Sequence, residues 1–214
     1  MIGDFHIHSK YSFDSIMSPK KIIKTAVKKN LDLIAITDHN TIKGGVEVKK
    51  ASGNNIKVIV GAEIKTDIGD IIGFNLNNEI KSINWEEVLD QIKAQGGLSI
   101  LPHPYRSHKN IYEIAKKVDF IEVWNARSTI DQNEQAFNLA KKLKKKMLAG
   151  SDAHLYSEIG NVKIFVDEKW NLKEITVKKR ANEHQILKSQ ILGYIRRGEI
   201  YKLICKGIEK LFEI

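Results

Sequence analysis

Short apolar runs rich in β-branched residues alternate along the chain with longer stretches whose apolar positions recur every three or four residues. That alternation is the sign of βα units around a mainly parallel sheet or barrel. Strands are predicted near 2–8, 32–37, 57–63, 71–75, 98–101, 119–124, 147–150 and 162–166. The first helix begins at Ser18, an N-cap residue, with Pro19 where its missing N–H costs nothing and Ile22, Ile23, Ala26 and Val27 at helical spacing. Asn84 with Glu87 three residues on reads as a capping box for a helix of about 84–95, closed by Gly96 and Gly97, and 131–146 reads as another long amphipathic helix. After about residue 167 the pattern changes to one helical stretch near 183–197, a basic turn at Arg196-Arg197-Gly198 and a short apolar tail. The expected organisation is a barrel domain over 1–167 with a C-terminal extension, 168–214, packed against it.

Composition narrows the class. A chain of 214 residues with 42% hydrophobic and 29% charged positions, 3 Pro and 14 Gly suits one folded unit and excludes collagen-like, low-complexity and wholly disordered readings. No stretch approaches the roughly 18 apolar residues of a membrane span, and the start MIGDFHIHSK does not run from basic to greasy as a signal peptide does, so a soluble, cytoplasmic protein is expected. The single cysteine, Cys205, can form neither an internal disulfide nor a thiolate metal site, which leaves His and carboxylates to hold any metal. A net charge of +9 favours anionic partners, although Lys141, Lys142, Lys144, Lys145 and Lys146 read as a solvated helix face.

All the histidines except His184 lie before residue 155, and most stand where a predicted strand ends. In a (β/α) barrel every strand's C-terminal end reaches one rim, so ligands scattered along the chain converge there. His6 and His8, two apart in an extended segment, share a face. Asp14 follows in the next loop, His39 ends LIAITDHN, Glu63 ends VIVGAEI, and Asp70 opens GDIIGF. His103 ends SILPHP, Asn125 ends FIEVWNAR, and Asp152 with His154 ends LAGSDAH. Singly, each is explained by a cap, a turn or core filling; together they predict one ligand-lined rim. Imidazole and carboxylate donors suit Zn²⁺, Mn²⁺ and Fe²⁺, and so many exceed the four to six ligands of one ion, which implies two or three metals. Closely spaced divalent ions lower the pKa of water to about 7 and neutralise phosphate charge, so the natural chemistry is hydrolysis of a phosphoester by hydroxide.

His6-x-His8, Asp14, Thr37-Asp38-His39, Glu63, His103 and Gly150-Ser151-Asp152-Ala153-His154 together resemble the PHP (polymerase and histidinol phosphatase) family from residue 2 to about 165. The resemblance implies a distorted (β/α)₇ barrel with a trinuclear metal site and a short, mainly helical C-terminal extension. It implies one ion held by His6, His8, Glu63 and Asp152, a second bridged by Glu63 and bound by His103, and a third held by Asp14, His39 and His154. The family usually shows a further histidine after the bridging glutamate; here Asp70 stands in that place, and as a harder ligand it shifts preference toward Mn²⁺ or Mg²⁺.

Arg106 and Arg127, each two residues beyond a rim residue or its proline, are candidates to grip a phosphate through paired hydrogen bonds. Asp38 is expected to orient a ligand histidine or to take part in proton transfer, and Asn125 to touch metal water or substrate. His108, Lys10 and Tyr11 are further loop candidates. The reading favoured is a metal-dependent phosphoesterase, of phosphatase or 5′-3′ exonuclease type, acting on a nucleotide, a phosphorylated metabolite or a short oligonucleotide end, with no obligatory protein partner. The alternatives are a metal-dependent amidohydrolase, and a catalytically silent barrel that binds nucleic acid or protein. His184 and Cys205 are assigned no role.

Overall fold

The computed structural model describes residues 1–200; Cys205 and the rest of the apolar tail lie outside the described residues. Nine strands form one sheet: β1 (Ile2–Ile7), β2 (Leu33–His39), β3 (Lys57–Thr66), β4 (Gly69–Phe74), β5 (Leu98–Leu101), β6 (Phe120–Asn125), β7 (Lys146–Gly150), β8 (Val162–Val166) and β9 (Leu172–Val177). Their order is β7-β6-β5-β4-β3-β2-β1-β8-β9. The sheet curls until the end of β7 meets the end of β1, where the His8 N–H donates to the Ala153 carbonyl (2.8 Å) and the Ala153 N–H to that of His6 (3.1 Å). The result is the expected barrel, nearly closed.

β1 to β3 run parallel, as do β5 to β7, and β4 lies antiparallel between the two sets. That reversal matters for function. β4 starts, where its parallel neighbours end, at the ligand rim, so Asp70 belongs to that rim although it opens its strand. β8 pairs antiparallel with β1, and β9 with β8, so the extension begins with a strand not anticipated from sequence.

The helices are α1 (Pro19–Lys28), α2 (Lys43–Ser52), α3 (Trp85–Ala94), α4 (Pro104–Ser107), α5 (Ile111–Lys117), α6 (Ile130–Leu143) and α7 (Glu183–Arg196). Asn84 caps α3 as expected, accepting from the Glu86 and Glu87 N–H groups, but the reciprocal half of the box is absent because the Glu87 carboxylate accepts from Ser82 instead. Complete capping boxes open α6 at Thr129 with Gln132 and α7 at Asn182 with Gln185.

The core divides by strand parity. Phe5, Leu33, Ala35, Ile59, Ile72, Phe74, Ile100, Phe120, Leu148 and Val162 form a cluster with no helical member, which fills the barrel interior. The intervening positions, among them Ile34, Ile36, Ile64 and Ile121, pack outward against α1, α2, α3, α5 and α6. Burying about 1.5–3 kcal/mol of transfer free energy per large side chain, these two layers make the scaffold stiff. Inward parity continues to the rim: Leu33 and Ala35 lead to His39, Ile59 to Glu63, Phe74 and Ile72 back to Asp70, and Phe120 to Glu122. No described helix is long and apolar enough to cross a membrane.

Candidate metal centre

Glu63 stands at the centre. Its Oε1 lies 2.8 Å from His103 Nε2, and its Oε2 lies 3.4 Å from His6 Nε2, 3.4 Å from His8 Nε2 and 3.3 Å from His39 Nδ1. Asp152 Oδ1 approaches two of the same nitrogens, at 3.5 Å from His6 Nε2 and 3.2 Å from His8 Nε2. Asp14 Oδ2 joins His39 Nε2 (3.2 Å) to His154 Nε2 (2.9 Å). The donor atoms fall into three overlapping groups, each within 4.8 Å: His6 with His8 and Asp152; His6 with Glu63 and His103; and His8 with Asp14, His39 and His154. Eight of the nine expected ligands are thus brought together.

Asp70 is the exception. It lies outside those groups, although its carboxylate faces the same charges: burial first, then Glu63, raise its pKa, while His103, His39 and Arg106 oppose the rise. Its peptide N–H and carbonyl lie 3.0 and 2.7 Å from His108 Nε2, which fixes the hairpin that presents it.

The centre fits cations. His8 Nε2, Asp14 Oδ1, His103 Nδ1 and Asp152 Oδ1 are buried without a hydrogen-bond partner, whereas nine in ten buried polar atoms have one. Burial disfavours charge at His6, yet Asp152, Glu122 and Glu63 outweigh it and hold the imidazole pKa well above its ordinary value. At His39 burial is likewise outweighed, by Glu63 and Asp14, and the pKa rises to about 9. His8 goes the other way, to about 3, through burial and the neighbouring His154. Against burial, His39 and His6 keep Glu63, and His6 and Arg106 keep Asp152, well below the usual carboxylate range. The carboxylates therefore stay ionised and draw positive charge to their midst. Two ligand residues also hold strained backbone, His103 at φ 29° and Asp152 at φ 51°, of the kind that costs about 1–3 kcal/mol and concentrates at functional sites.

A surrounding layer fixes these side chains, and sequence reasoning missed most of it. Glu122 accepts from the His103 N–H (2.9 Å) and Asn125 Nδ2 (2.9 Å), and its other oxygen lies 3.0 Å from His6 Nδ1. This leaves His6 Nε2 for the centre, as ligand histidines require. Ser12 does the same for His8, with its Oγ 3.0 Å from His8 Nδ1. Buried Asp4 accepts from the Ser151 N–H (2.9 Å), its hydroxyl (2.5 Å) and the Gly160 N–H (2.7 Å), holding the turn before Asp152; burial lifts its pKa to about 6 against those bonds. Glu122 shares the inward parity of Phe120, which becomes visible only once the barrel interior is known.

The other expected site residues take definite places. Asp38 touches no ligand histidine directly, but Ser12, whose Oγ lies at His8 Nδ1, is also its hydrogen-bond partner. Both oxygens of Asp38 accept from Ser9, N–H and Oγ at 2.6 Å each, so it holds the loop that carries Asp14. Gly44 permits this, because a Cβ there would lie 1.7 Å from Asp38 Oδ2. Asn125 donates to Asp152 Oδ2 (3.3 Å) as well as to Glu122. Arg106 Nη1 donates to Asp152 Oδ2 (2.8 Å), and with its side chain 33% exposed the guanidinium lines the rim cavity. Arg127 lines the same cavity, but its guanidinium is engaged elsewhere. Its Nη2 donates to both oxygens of Glu158 (2.9 and 3.0 Å) and its Nη1 to Ser189 Oγ on α7 (2.8 Å), so it braces the extension. Glu158 in turn accepts from the His154 and Leu155 N–H groups.

Comparison with known proteins places this geometry. A family model described as the PHP domain matches residues 4–201. The uncharacterised protein MJ1587 of Methanocaldococcus jannaschii is 41% identical over 165 residues, 68% of this chain and 95% of that protein. A second protein of the same organism, MJ0417, is 36% identical over 178 residues, 77% of this chain and 70% of that one. Among solved structures, a Bifidobacterium adolescentis protein provisionally assigned as a metal-dependent phosphoesterase superposes with a TM-score of 0.61 at 16% identity, over 89% of this chain and 96% of its own.

Proposed function

The chain belongs to the PHP domain family, and on that premise we propose that it is a metal-dependent phosphoesterase acting on the phosphate ester of a small anionic substrate. The observation that carries the reading is the three overlapping donor groups around Glu63, with buried nitrogen and oxygen atoms that no protein group satisfies. In this reading His6, His8, Glu63 and Asp152 hold one ion, Glu63 and His103 share a second with Asp70 beside it, and Asp14, His39 and His154 hold a third. Bound divalent ions supply Lewis acidity there, making water acidic near neutral pH and offsetting charge on a phosphoryl oxygen.

The chain's own residues do the rest. Glu122 and Ser12 present the Nε2 atoms of His6 and His8, and Asn125 and Arg106 fix Asp152 from its other oxygen. Arg106 is the residue we assign to phosphate recognition: it lines the cavity beside Asp14, His39, Asp152 and His154, and its planar donors match two phosphoryl oxygens. The two oxygens of Asp38 are engaged by Ser9, which makes it a positioning residue for the Asp14 loop. The Bifidobacterium adolescentis protein that shares the fold carries the same provisional assignment.

The test is metal content by mass spectrometry on protein purified without chelator, with hydrolysis of an aryl phosphate and a nucleotide panel in added Mn²⁺. Two or three ions per chain, with turnover abolished in His39→Ala and Asp152→Ala, is the expected result. No bound metal and no turnover across the panel would sink the reading.

A further inference from the structure

The extension has a face turned toward the rim. Ile186, Ser189, Gln190, Gly193, Tyr194 and Arg197 recur at the three- and four-residue spacing of one helical side and line, with Phe13, the same cavity as Arg106, His39, Asp152 and His154. Built contacts hold that face in place. Arg127 reaches Ser189, and Arg196 Nη1 donates to the carbonyls of Lys10 (3.2 Å), Ser12 (2.9 Å) and Ser15 (3.0 Å), the loop that bears Asp14. Gly193 lets α7 approach closely, since a Cβ there would meet Phe13 Cδ2 at 3.2 Å and Asp14 Cβ at 3.4 Å.

We infer, resting on the phosphoesterase reading, that the α7 face is the specificity wall of this site, with Ile186 and Gln190 selecting a phosphomonoester of a compact, partly apolar alcohol. Size supports this: the cavity holds about 280 Å³, just below the range of about 300–1,000 Å³ usual for drug-sized ligands. Chemistry agrees. Ile186 offers apolar surface, and the Gln190 amide, which makes no hydrogen bond to another described residue, is a ready donor and acceptor for a polar group on the alcohol. Phe13 offers only an edge, because one of its faces stacks on His39 (centroids 4.7 Å apart, 12° between planes) and the Arg197 guanidinium lies over the ring at 4.3 Å. A neighbouring cleft shares Phe13, His39 and Arg197 with this cavity, and its three cations, Lys65, Lys109 and Arg197, stand among three carboxylates, Asp67, Asp70 and Glu199. With cations and carboxylates equal in number, that cleft offers a strand of nucleic acid no net positive path, which favours a compact substrate over a long one.

The experiment uses the full chain loaded with Mn²⁺. It measures kcat/KM for methyl phosphate, phenyl phosphate, 4-hydroxyphenyl phosphate and a 5′-phosphorylated decanucleotide, and in parallel calorimetric binding of methylphosphonate and phenylphosphonate. It is run on the wild type, Ile186→Trp and Gln190→Ala. The wall predicts at least a tenfold preference for phenyl over methyl in both assays, poor use of the decanucleotide, and a change of several-fold in the phenyl-to-methyl ratio in Ile186→Trp. Gln190→Ala serves as the second variant, read on the ratio of 4-hydroxyphenyl to phenyl phosphate and expected to lower it several-fold, because the amide is the partner of the alcohol's polar group. Turnover with ratios unmoved by both substitutions, or a decanucleotide cleaved as well as phenyl phosphate, overturns the wall and leaves the phosphoesterase standing. Absence of turnover with the phosphonate preference intact and altered in Ile186→Trp rejects the hydrolytic reading and keeps the wall.

Discussion

Glu122→Gln is nearly isosteric, yet it removes the one group that can satisfy three buried neighbours at once. The carboxylate is 3% exposed, with one oxygen 3.0 Å from His6 Nδ1 and the other accepting from the His103 N–H and Asn125 Nδ2 at 2.9 Å each. A glutamine has two ways to sit. With its NH₂ toward His103 and Asn125, two buried donors lose their acceptor, at about 1–3 kcal/mol each. With its NH₂ toward His6, the Nδ1 must accept, and the imidazole proton moves to Nε2, the nitrogen that faces Glu63 and Asp152. The second arrangement is the less costly for folding, and it removes a ligand nitrogen. The expected outcome is a folded protein whose metal affinity falls by about 10–100-fold, the usual cost of losing a carboxylate behind a ligand histidine. Competition against a chromophoric chelator measures it, with thermal unfolding as the control for fold. Affinity within twofold of wild type at an unchanged Tm would refute the argument that Glu122 sets the His6 tautomer.

Arg106→Ala is expected to lower kcat/KM for phosphomonoesters by about 10–100-fold, from the net loss of one charge-assisted hydrogen bond at about 1.5–3 kcal/mol, with Arg106→Lys restoring only part. Unaltered steady-state kinetics would remove Arg106 from substrate binding. Arg127→Ala leaves Glu158 buried without its cation and is expected to cost about 3–5 kcal/mol. Hydrogen exchange on α7 should then speed up more than on β2, and uniform protection would show that the pair does not brace the extension. Gly44→Ala places a Cβ on Asp38 and is expected to lose about 1–3 kcal/mol of stability or more, read as a lower denaturant midpoint. Chelator treatment should lower Tm by about 5–11 °C if ions are present at about a hundred times their Kd, and an unmoved melting curve would mean that the centre binds none tightly.

Much of the site was legible because ligands sit where an apolar run stops. His39 after Leu33-Ile34-Ala35-Ile36 and Glu63 after Val58-Ile59-Val60 are polar residues at strand ends, and such ends converge by geometry. Eight strands fell close to their expected places for the same reason. What escaped reading has physical causes too. Glu122 lies inside a strand, where one carboxylate among Phe120, Ile121 and Val123 looks like the solvent side of an alternating pattern. α2 begins Lys43-Gly44-Gly45, which reads as a break, although Gly44 gives Asp38 room and Gly45 approaches Val60. β9, Leu172–Val177, carries Lys173 and Glu174 and is largely exposed, so nothing marks it as sheet until β8 supplies a partner. Arg127 was expected at the phosphate because its distance from Asn125 is visible in sequence, while Glu158, 31 residues on, is not.

The sheet order carries a consequence in time. β1 holds His6 and sits between β2 and β8, with β7 closing against its end. At about 5–20 residues per second of synthesis, β2 follows within seconds, but β8 emerges about 8–30 s after β1. A growing chain therefore owns every ligand up to His103 while it still lacks Asp152, His154 and the helix that pins the Asp14 loop. In the reading proposed above, the group of His6, Glu63 and His103 is therefore complete before the two groups that need Asp152 and His154, so the rim is assembled in stages along the chain.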